Sequence, residues 1–315
     1  MFESLSLPFE EDHLPPGQDP IETGSVKQMA SLARQIMAVR ERTGYSTMGV
    51  VTGFPGVGKS IAIQAFLLNL AKLSHTGGPA CIEIRVKPDS TPKAFVEDLL
   101  LRLEAQRAPR LETNRYRLAD RAAELIVSHD IRLIFVDEAE QLNEGGFEFL
   151  RYLFGKTGCP LILAGDGRIL PLLERQPKFS SRTSLYQEFL PPSDEELLQV
   201  VLPQLHFPGW VFDPAQASDQ AMGQEMWDRA KRSFRNLRTI MQFASSIASM
   251  DESLSRITPA FLDTQIYPLL RLPARKGPSV KAKTSPEETK PPTEYDKESE
   301  QRHAARGRKK GEESA

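Results

Sequence analysis

Two spacings of apolar residues alternate between positions 25 and 192. Short runs of β-branched and aliphatic residues are separated by longer stretches in which apolar residues recur every three or four positions. The short runs are typical of parallel strands buried on both faces, and the longer stretches are typical of amphipathic helices. The predicted strands are 48–52, 80–86, 131–138, 159–166 and 185–190. Alternating strands and helices predict an α/β fold in which helices cover both faces of a parallel sheet, in three layers.

The pattern changes after Pro191-Pro192, where only helical spacing remains. Helices are predicted from Asp194 and over 220–232, 234–250 and 259–270, and together they indicate a small all-helical lid. Beyond residue 272 apolar residues nearly vanish, and such a segment cannot bury enough surface to offset its ordering entropy. The predicted organisation is an irregular N-terminal arm (1–24), an α/β domain (25–192) that opens with a helix capped by Ser25, a helical lid domain (193–272) and a disordered charged tail (273–315).

Composition narrows the class of protein but does not indicate a function. The chain has 315 residues, 40% of them hydrophobic, and a formal net charge of −2. The near-neutral net charge argues against a protein that coats nucleic acid through its overall charge, although such a net charge still allows local basic patches. No apolar stretch approaches the ~20 residues of a membrane span, the acidic start does not resemble a signal peptide, and Cys81 and Cys159 lie apart in apolar runs. These features favour a cytoplasmic protein with reduced, buried thiols.

The strongest chemical signal is the run from Gly53 to Ser60, which follows the first strand and begins the next helix. It matches the G-x-x-x-x-G-K-[ST] pattern at every fixed position. Glycines let backbone N–H groups curl around a phosphate, and the helix N-terminus favours the anion. Lys59 is expected to reach the β- and γ-phosphates, and the Ser60 hydroxyl is expected to bind Mg²⁺. The predicted nucleotide contacts are Gly53, Pro55, Gly56, Val57, Gly58, Lys59, Ser60 and Ile61.

Carboxylates follow two later strands, where open α/β sheets bind ligands. Asp137 and Glu138 end the third strand. Asp137 is predicted to hold Mg²⁺, and Glu138 to polarise the attacking water in ATP hydrolysis. Asp166 ends the fourth strand, at a position suited to sensing the γ-phosphate. It is an unusual choice, because an amide or hydroxyl would repel phosphate less.

A basic segment lies between Arg102 and Arg121. Taken by itself, it is typical of a solvated loop and helix face.

These motifs together resemble the AAA+ ATPases. The resemblance covers roughly residues 25–270 and rests on Gly53–Ser60, Ile134–Glu138, the strand end at Asp166, Lys178–Arg182 and Ser233–Arg238. More narrowly, the chain looks like the transposition regulators of the TnsC, TniB and MuB group. The stretches that suggest this are Ser90–Phe95, Phe135–Leu142 and Leu161–Asp166 followed by Ser181-Arg182.

The resemblance carries expectations of its own. Arg182, or else Arg175, resembles the arginine finger that reaches a neighbouring subunit's γ-phosphate. Arg238, or more weakly Arg235, resembles the lid arginine that contacts phosphate within one subunit. Asp166 departs from the Asn, Thr or Ser usual on the sensing strand. A finger acting between subunits implies head-to-tail assembly into a ring or helical filament.

The same resemblance implies partners. In the transposition ATPases, the ATP-bound form assembles on double-stranded DNA and recruits a transposase, and hydrolysis releases it; a target-selection protein is a further expected partner. The cofactors implied are ATP and Mg²⁺. Within the same resemblance the basic segment is expected to contact DNA, mainly at phosphates, through Arg107, Arg110, Arg115 and Arg117. Such contacts tolerate different sequences and are weakened by salt.

Three other functions remain open at this stage. One is an AAA+ switch in secretion or signalling that uses no nucleic acid. Another is a helicase loader, which shares the fold and nucleotide chemistry. A third is a small-molecule P-loop kinase, against which stand Glu138 beside Asp137, the helical lid and the candidate finger.

Overall fold

The computed structural model describes residues 20–73, 81–104, 114–205, 210–250 and 257–270. The predicted tail, most of the N-terminal arm, and Arg107 and Arg110 lie outside the described residues. All elements below belong to the described part of the chain.

Five strands form one parallel sheet in the order β2-β3-β4-β1-β5. The strands are β1 (Met48–Gly53), β2 (Cys81–Arg85), β3 (Leu133–Asp137), β4 (Leu161–Gly165) and β5 (Thr183–Phe189). Because β4 lies between β1 and β3, the carboxyl ends of these three strands meet along one stretch of the sheet edge. The glycine-rich run Gly53–Ser60, which we call the phosphate loop, continues from β1, and the carboxylates Asp137–Glu138 and Asp166 stand at the ends of β3 and β4.

The helices of the α/β part lie on both faces of the sheet. They are α1 (Gly24–Thr43), α2 (Lys59–Leu73), α3 (Pro92–Glu104), α4 (Arg115–Ser128), α5 (Glu144–Thr157), α6 (Ile169–Glu174) and α7 (Pro177–Ser180). One apolar cluster joins α1 and α2 to the sheet, and its Phe66 and Phe135 rings meet edge to face at 5.6 Å. A second cluster joins α3, α4 and α5 to the opposite face. The predicted three-layer parallel fold followed by a helical part is confirmed.

The C-terminal helices bury a cluster of their own around Trp227, which is fully buried. These helices are α8 (Asp194–Glu196), α9 (Leu202–Gln204), α10 (Ala217–Arg229), α11 (Phe234–Met250) and α12 (Pro259–Phe261). Wider π-helical turns at Leu197–Val201 and Leu262–Ile266 follow α8 and α12. Arg229 is buried here, paired with Glu225 and Asp263 at 3.0 and 2.8 Å and stacked over the Tyr267 ring. We refer to these helices as the lid.

Two local expectations need correction. The first helix begins at Gly24, and Thr23 rather than Ser25 accepts the hydrogen bond that caps it. Thr23 has the extended backbone that an N-cap requires, whereas Ser25 already lies inside the helix. The last predicted helix is also broken, since regular α-helix spans only Pro259–Phe261 before the π-helical turn.

Among the described helices, none is both long enough and apolar enough to cross a membrane. Both cysteines are buried and unpaired, and burial raises the pKa of each thiol to about 12.

Candidate nucleotide-binding site

A cavity of about 330 Å³ opens where β1, β3 and β4 end, between the sheet edge and the lid. The phosphate loop contributes Pro55, Gly56 and Gly58 to its wall, and α2 contributes Lys59, Ser60 and Ile61. The remaining lining residues are Asp137, Glu138, Glu140, Gly165, Asp166, Arg168, Phe234, Arg235 and Arg238. The structure therefore brings together most of the residues that the sequence nominated from separate segments.

The phosphate loop depends on two glycines with left-handed backbone. Gly56 has φ 78° and Gly58 has φ 103°, conformations that residues with a Cβ rarely adopt. A Cβ on Gly56 would also lie 2.2 Å from the Ser233 hydroxyl oxygen. The loop then turns directly into α2 at Lys59, so the first N–H groups of that helix face the cavity side of the loop.

Lys59 is held close to the loop. Its ammonium donates to the carbonyl oxygens of Gly53 and Phe54 at 2.8 and 3.2 Å. Burial lowers the pKa of Lys59, while the negative charges of Asp137, Glu140 and Asp166 act in the opposite direction. A triphosphate here would supply the negative charge that this partly desolvated ammonium requires.

Ser60 and Asp137 meet directly. The Ser60 hydroxyl donates to Asp137 Oδ2 at 2.6 Å, and Arg85 Nη2 approaches the same oxygen at 3.4 Å. Asp137 is only 1% exposed, and its Oδ1 accepts the Glu138 N–H at 3.0 Å. A hydroxyl and a carboxylate oxygen fit Mg²⁺, which in nucleotide sites takes one or two protein ligands and completes its shell with phosphates and water. Among the described residues there is no cluster of three or more His, Cys, Asp or Glu able to hold a metal.

Glu138 lies at the cavity wall in a strained conformation. Its φ of 53° and ψ of 38° place it in the left-handed region, which is uncommon for a residue with a long side chain. The strand ends at Asp137, and this reversal starts the short 3₁₀ turn Ala139–Gln141.

The lid is joined to the phosphate loop by the start of α11. The Phe234 N–H donates to the Gly56 carbonyl oxygen at 2.8 Å, and the Phe234 ring lies against Gly58. Arg235 and Arg238 follow on the same helix and both line the cavity. A movement of the lid must therefore act on the loop that is expected to hold the phosphates.

Sequence reasoning missed two charged residues of the site, Glu140 and Arg168. Glu140 is almost buried and its Oε2 accepts the Asp166 N–H at 3.2 Å. Arg168 forms an ion pair with Asp166. Their positions in the sequence were a usable signal, because Glu140 lies two residues beyond Glu138 and Arg168 lies two residues beyond Asp166, both of which were predicted site residues.

The two candidate finger arginines lie outside the cavity lining. The Arg182 carbonyl accepts the N–H of Met48, which begins β1, whereas the phosphate loop follows the other end of that strand. Six residues of strand separate those ends by ~16 Å. The Arg182 side chain is exposed, with its guanidinium 5.6 Å from the centre of the Phe154 ring. Arg175 is exposed at the end of α6.

The basic segment is described only in part. Arg115 begins α4 and Arg117 is exposed on its first turn, close to Tyr116, which is 66% exposed. Arg117 is not among the residues that line the cavity.

Comparisons with known proteins agree with this geometry. Residues 42–173 match a family described as "AAA domain". The Aeropyrum pernix ORC1 protein, solved in complex with DNA, has a TM-score of 0.60 at 19% identity, over 78% of this chain and 65% of that one. CDC6P from Pyrobaculum aerophilum gives 0.61 at 15%, over 79% and 68%. Drosophila ORC bound to DNA gives 0.52 at 15%, over 82% and 67%.

At these identities the likeness shows the fold and not the activity, and the chain spans 65% of the ORC1 protein's length. A sequence comparison with curated proteins found no match. The match over residues 42–173 and the structural likeness together show an AAA-type P-loop fold, similar to that of the Orc1 and Cdc6 proteins.

The half-buried carboxyl of Glu83 provides a pH-dependent test of the site's electrostatics. Burial raises its pKa to about 7, the charge of Asp137 adds to this, and Arg85 and Arg102 oppose it. A carboxyl whose folded pKa exceeds its unfolded value loses stability as pH rises from ~4.5 through 7, because the native state must give up the proton it retains. We therefore expect Glu83→Gln to gain up to about 3 kcal/mol over the wild type above pH 7 and little at pH 4.5.

Urea unfolding from pH 4.5 to 8 measures this difference. Glu174→Gln, at an exposed residue on α6, is the matched control and should follow the wild type. A pH-independent difference between Glu83→Gln and the wild type would contradict the assignment.

Proposed function

We propose that this protein is a Mg²⁺-dependent ATPase that assembles on duplex DNA in its ATP-bound form and disassembles on hydrolysis. The observation that carries the nucleotide chemistry is the meeting of Lys59, Ser60 and Asp137 in one cavity, under a lid bonded to the phosphate loop. Its support also includes the family match, since AAA domains are in general nucleotide-hydrolysing.

Each residue of the cavity has a role in that reaction. The loop amides and the start of α2 bind the phosphates, and Lys59 neutralises charge between the β- and γ-phosphates. Ser60 and Asp137 would hold Mg²⁺, which when bound withdraws charge from the phosphates. Glu138 orients and polarises the water that attacks the γ-phosphorus, and Arg235 and Arg238 bring the lid's positive charge to the same phosphates.

The position of Arg182 supports assembly between subunits. It lies at the amino-terminal end of β1, whereas the phosphate loop follows the carboxyl end, so Arg182 is poorly placed to serve its own subunit's nucleotide. An exposed guanidinium at that end suits insertion into the cavity of the next copy. Repeating that contact gives a head-to-tail ring or filament in which each nucleotide lies between two subunits.

Regulation of DNA transposition is the biological role that we propose for this cycle, with a transposase and a target-selection protein as partners. It is supported by the sequence resemblance at Ser90–Phe95 and Phe135–Leu142. A helicase loader is the second candidate, and the structural likeness to ORC1 and CDC6P favours it. The two differ in their protein partner, so co-purification with a transposase or with a replicative helicase separates them.

Substitutions in the basic segment test the proposed binding of DNA. Replacing Arg107, Arg110, Arg115 and Arg117 together with Ser removes four cations that we assign to DNA phosphates. DNA-stimulated ATPase activity should be lost while nucleotide affinity stays within about twofold, and the wild-type salt slope for DNA binding should fall by up to about 3–4. ATPase assays with and without duplex DNA across a salt series measure this.

DNA stimulation that survives the four substitutions would contradict the assignment of this segment. A wild-type ATPase rate indifferent to duplex DNA would instead favour a switch in secretion or signalling.

Hydrolysis is tested at Glu138. Glu138→Gln keeps the shape of the side chain and loses the base, so ATP should still bind while turnover falls about 10²-fold or more. The assembled state should then persist on DNA. Lys59→Ala is the informative comparison, because it should fail at nucleotide binding and therefore at assembly.

Single-turnover hydrolysis and filter binding give the two readouts. Turnover by Glu138→Gln at near the wild-type rate would remove Glu138 from its role.

The shared site is tested by mixing two inactive variants. Arg182→Ala should lower kcat about 10³-fold when every subunit carries it, as expected for loss of an arginine finger. Adding Glu138→Gln subunits should restore activity, because their Arg182 completes the intact sites of the Arg182→Ala subunits.

Repeating the mixture with Arg175→Ala in place of Arg182→Ala tests whether Arg175, the alternative candidate, is the arginine finger. If Arg182→Ala is fully active by itself, Arg182 is not the finger.

A further inference from the structure

The acidic residue at the end of β4 presents an electrostatic problem for a phosphate site. Thr52 pairs with Gly165, so Asp166 follows β4 at the level of the phosphate loop. The Asp166 side chain is only 17% exposed and lines the cavity. Glu140 lies beside it, with its side chain 9% exposed. Two carboxylates next to the expected γ-phosphate would repel that phosphate unless a cation compensates them.

Arg168 supplies that cation. Its Nε lies 3.0 and 2.9 Å from the two carboxylate oxygens of Asp166, and its Nη2 lies 2.9 Å from Oδ2. The same Nη2 is 3.6 Å from Glu140 Oε1, and the Arg168 N–H donates to Asp166 Oδ1 at 2.9 Å. Hydrogen bonds from Arg168 lower the pKa of Asp166, and Asp166 raises the pKa of Arg168, so the pair stays ionised.

The ion pair between Asp166 and Arg168 leaves one edge of the guanidinium available for a ligand. Asp166 and Glu140 occupy the Nε and Nη2 side, and the described residues provide no partner for Nη1. Arg168 is 68% exposed and lines the cavity. A guanidinium fixed by a carboxylate on one edge is preorganised to bind a phosphate oxygen with another.

We propose that Arg168, clamped by Asp166 and Glu140, is the group that binds the γ-phosphate from the β4 side of the cavity. The Asp166–Arg168 ion pair then replaces the neutral polar residue that would otherwise contact the γ-phosphate at the end of β4. It also adds a hydrogen-bond donor specific for the triphosphate. This inference rests on the proposed ATPase function and names a further substrate-binding residue of the same site.

The selectivity follows from the order of the phosphates. The loop amides hold the β-phosphate, and Lys59 lies between the β- and γ-phosphates. Asp166, Glu140 and Arg168 line the same cavity as Lys59, and Asp166 follows β4 at the level of the phosphate loop. Arg168 should therefore distinguish ATP from ADP rather than bind both equally.

Calorimetric titration with the ATP analogue ADPNP and with ADP, both with Mg²⁺, tests the proposal. Arg168→Ala should weaken ADPNP binding about 10- to 100-fold, the effect of losing a charge-assisted hydrogen bond, while ADP binding changes by less than about threefold. The double variant Asp166→Asn with Arg168→Ala should recover only part of the loss, because it removes the uncompensated carboxylate that Arg168→Ala leaves behind but does not restore the phosphate-binding guanidinium. Arg34→Ala, at an exposed arginine of α1 outside the cavity lining, is the matched control.

Three results would overturn the proposal. They are unchanged ADPNP affinity in Arg168→Ala, an equal loss of ADPNP and ADP affinity, and a double variant that binds ADPNP as tightly as the wild type. Thermal unfolding of each variant checks that the fold is intact. A wild-type protein that binds neither nucleotide would overturn the ATPase proposal together with this one, whereas ADPNP binding that is indifferent to Arg168 would leave the ATPase proposal standing.

Discussion

The contact between the Ser60 hydroxyl and the Asp137 carboxylate connects the two halves of the candidate site. Ser60 starts the helix after β1, and Asp137 ends β3, which is two strands away in the sheet. Only the parallel pairing of both strands with β4 brings their carboxyl ends to one place. The buried strand residues that make this pairing favourable therefore also determine where the pair that we propose holds Mg²⁺ forms.

Charge balance in the cavity is a second constraint. The lining contains as many acidic side chains as basic ones: Asp137, Glu138, Glu140 and Asp166 against Lys59, Arg168, Arg235 and Arg238. Two of the basic residues belong to the lid, so the field at the phosphates depends on lid position. Because Phe234 is bonded to Gly56, the lid's charges and the phosphate loop are positioned together. This coupling offers a physical route by which nucleotide state changes the subunit's shape.

The sequence predicted the parts of the molecule that depend on local patterns. Buried strands produce uninterrupted apolar runs, and the phosphate loop needs glycine at positions such as Gly56 and Gly58. Both features can therefore be recognised in the sequence alone. The helical lid was equally visible as a change in spacing. Fold class and the location of the cavity could therefore be derived before the structure.

What could not be derived depends on contacts between distant segments or on small energy differences. The role of Arg168 requires knowing that it folds back on Asp166 and reaches Glu140, which belongs to another strand's loop. The left-handed Glu138 and the bond from Phe234 to the phosphate loop are likewise products of tertiary packing. The start of α1 was misplaced because Thr23 and Ser25 have similar capping propensity, and only the backbone angles decide between them.

The central claim is that a Mg²⁺-bound triphosphate occupies this cavity and is completed by a neighbouring subunit. Mass photometry of the purified protein with ADPNP and Mg²⁺, with ADP, and without nucleotide, each with and without a short DNA duplex, tests it most directly. We predict multiples of the 315-residue subunit only with ADPNP, and more of them when duplex DNA is present. A protein that stays monomeric in all six conditions would contradict the account.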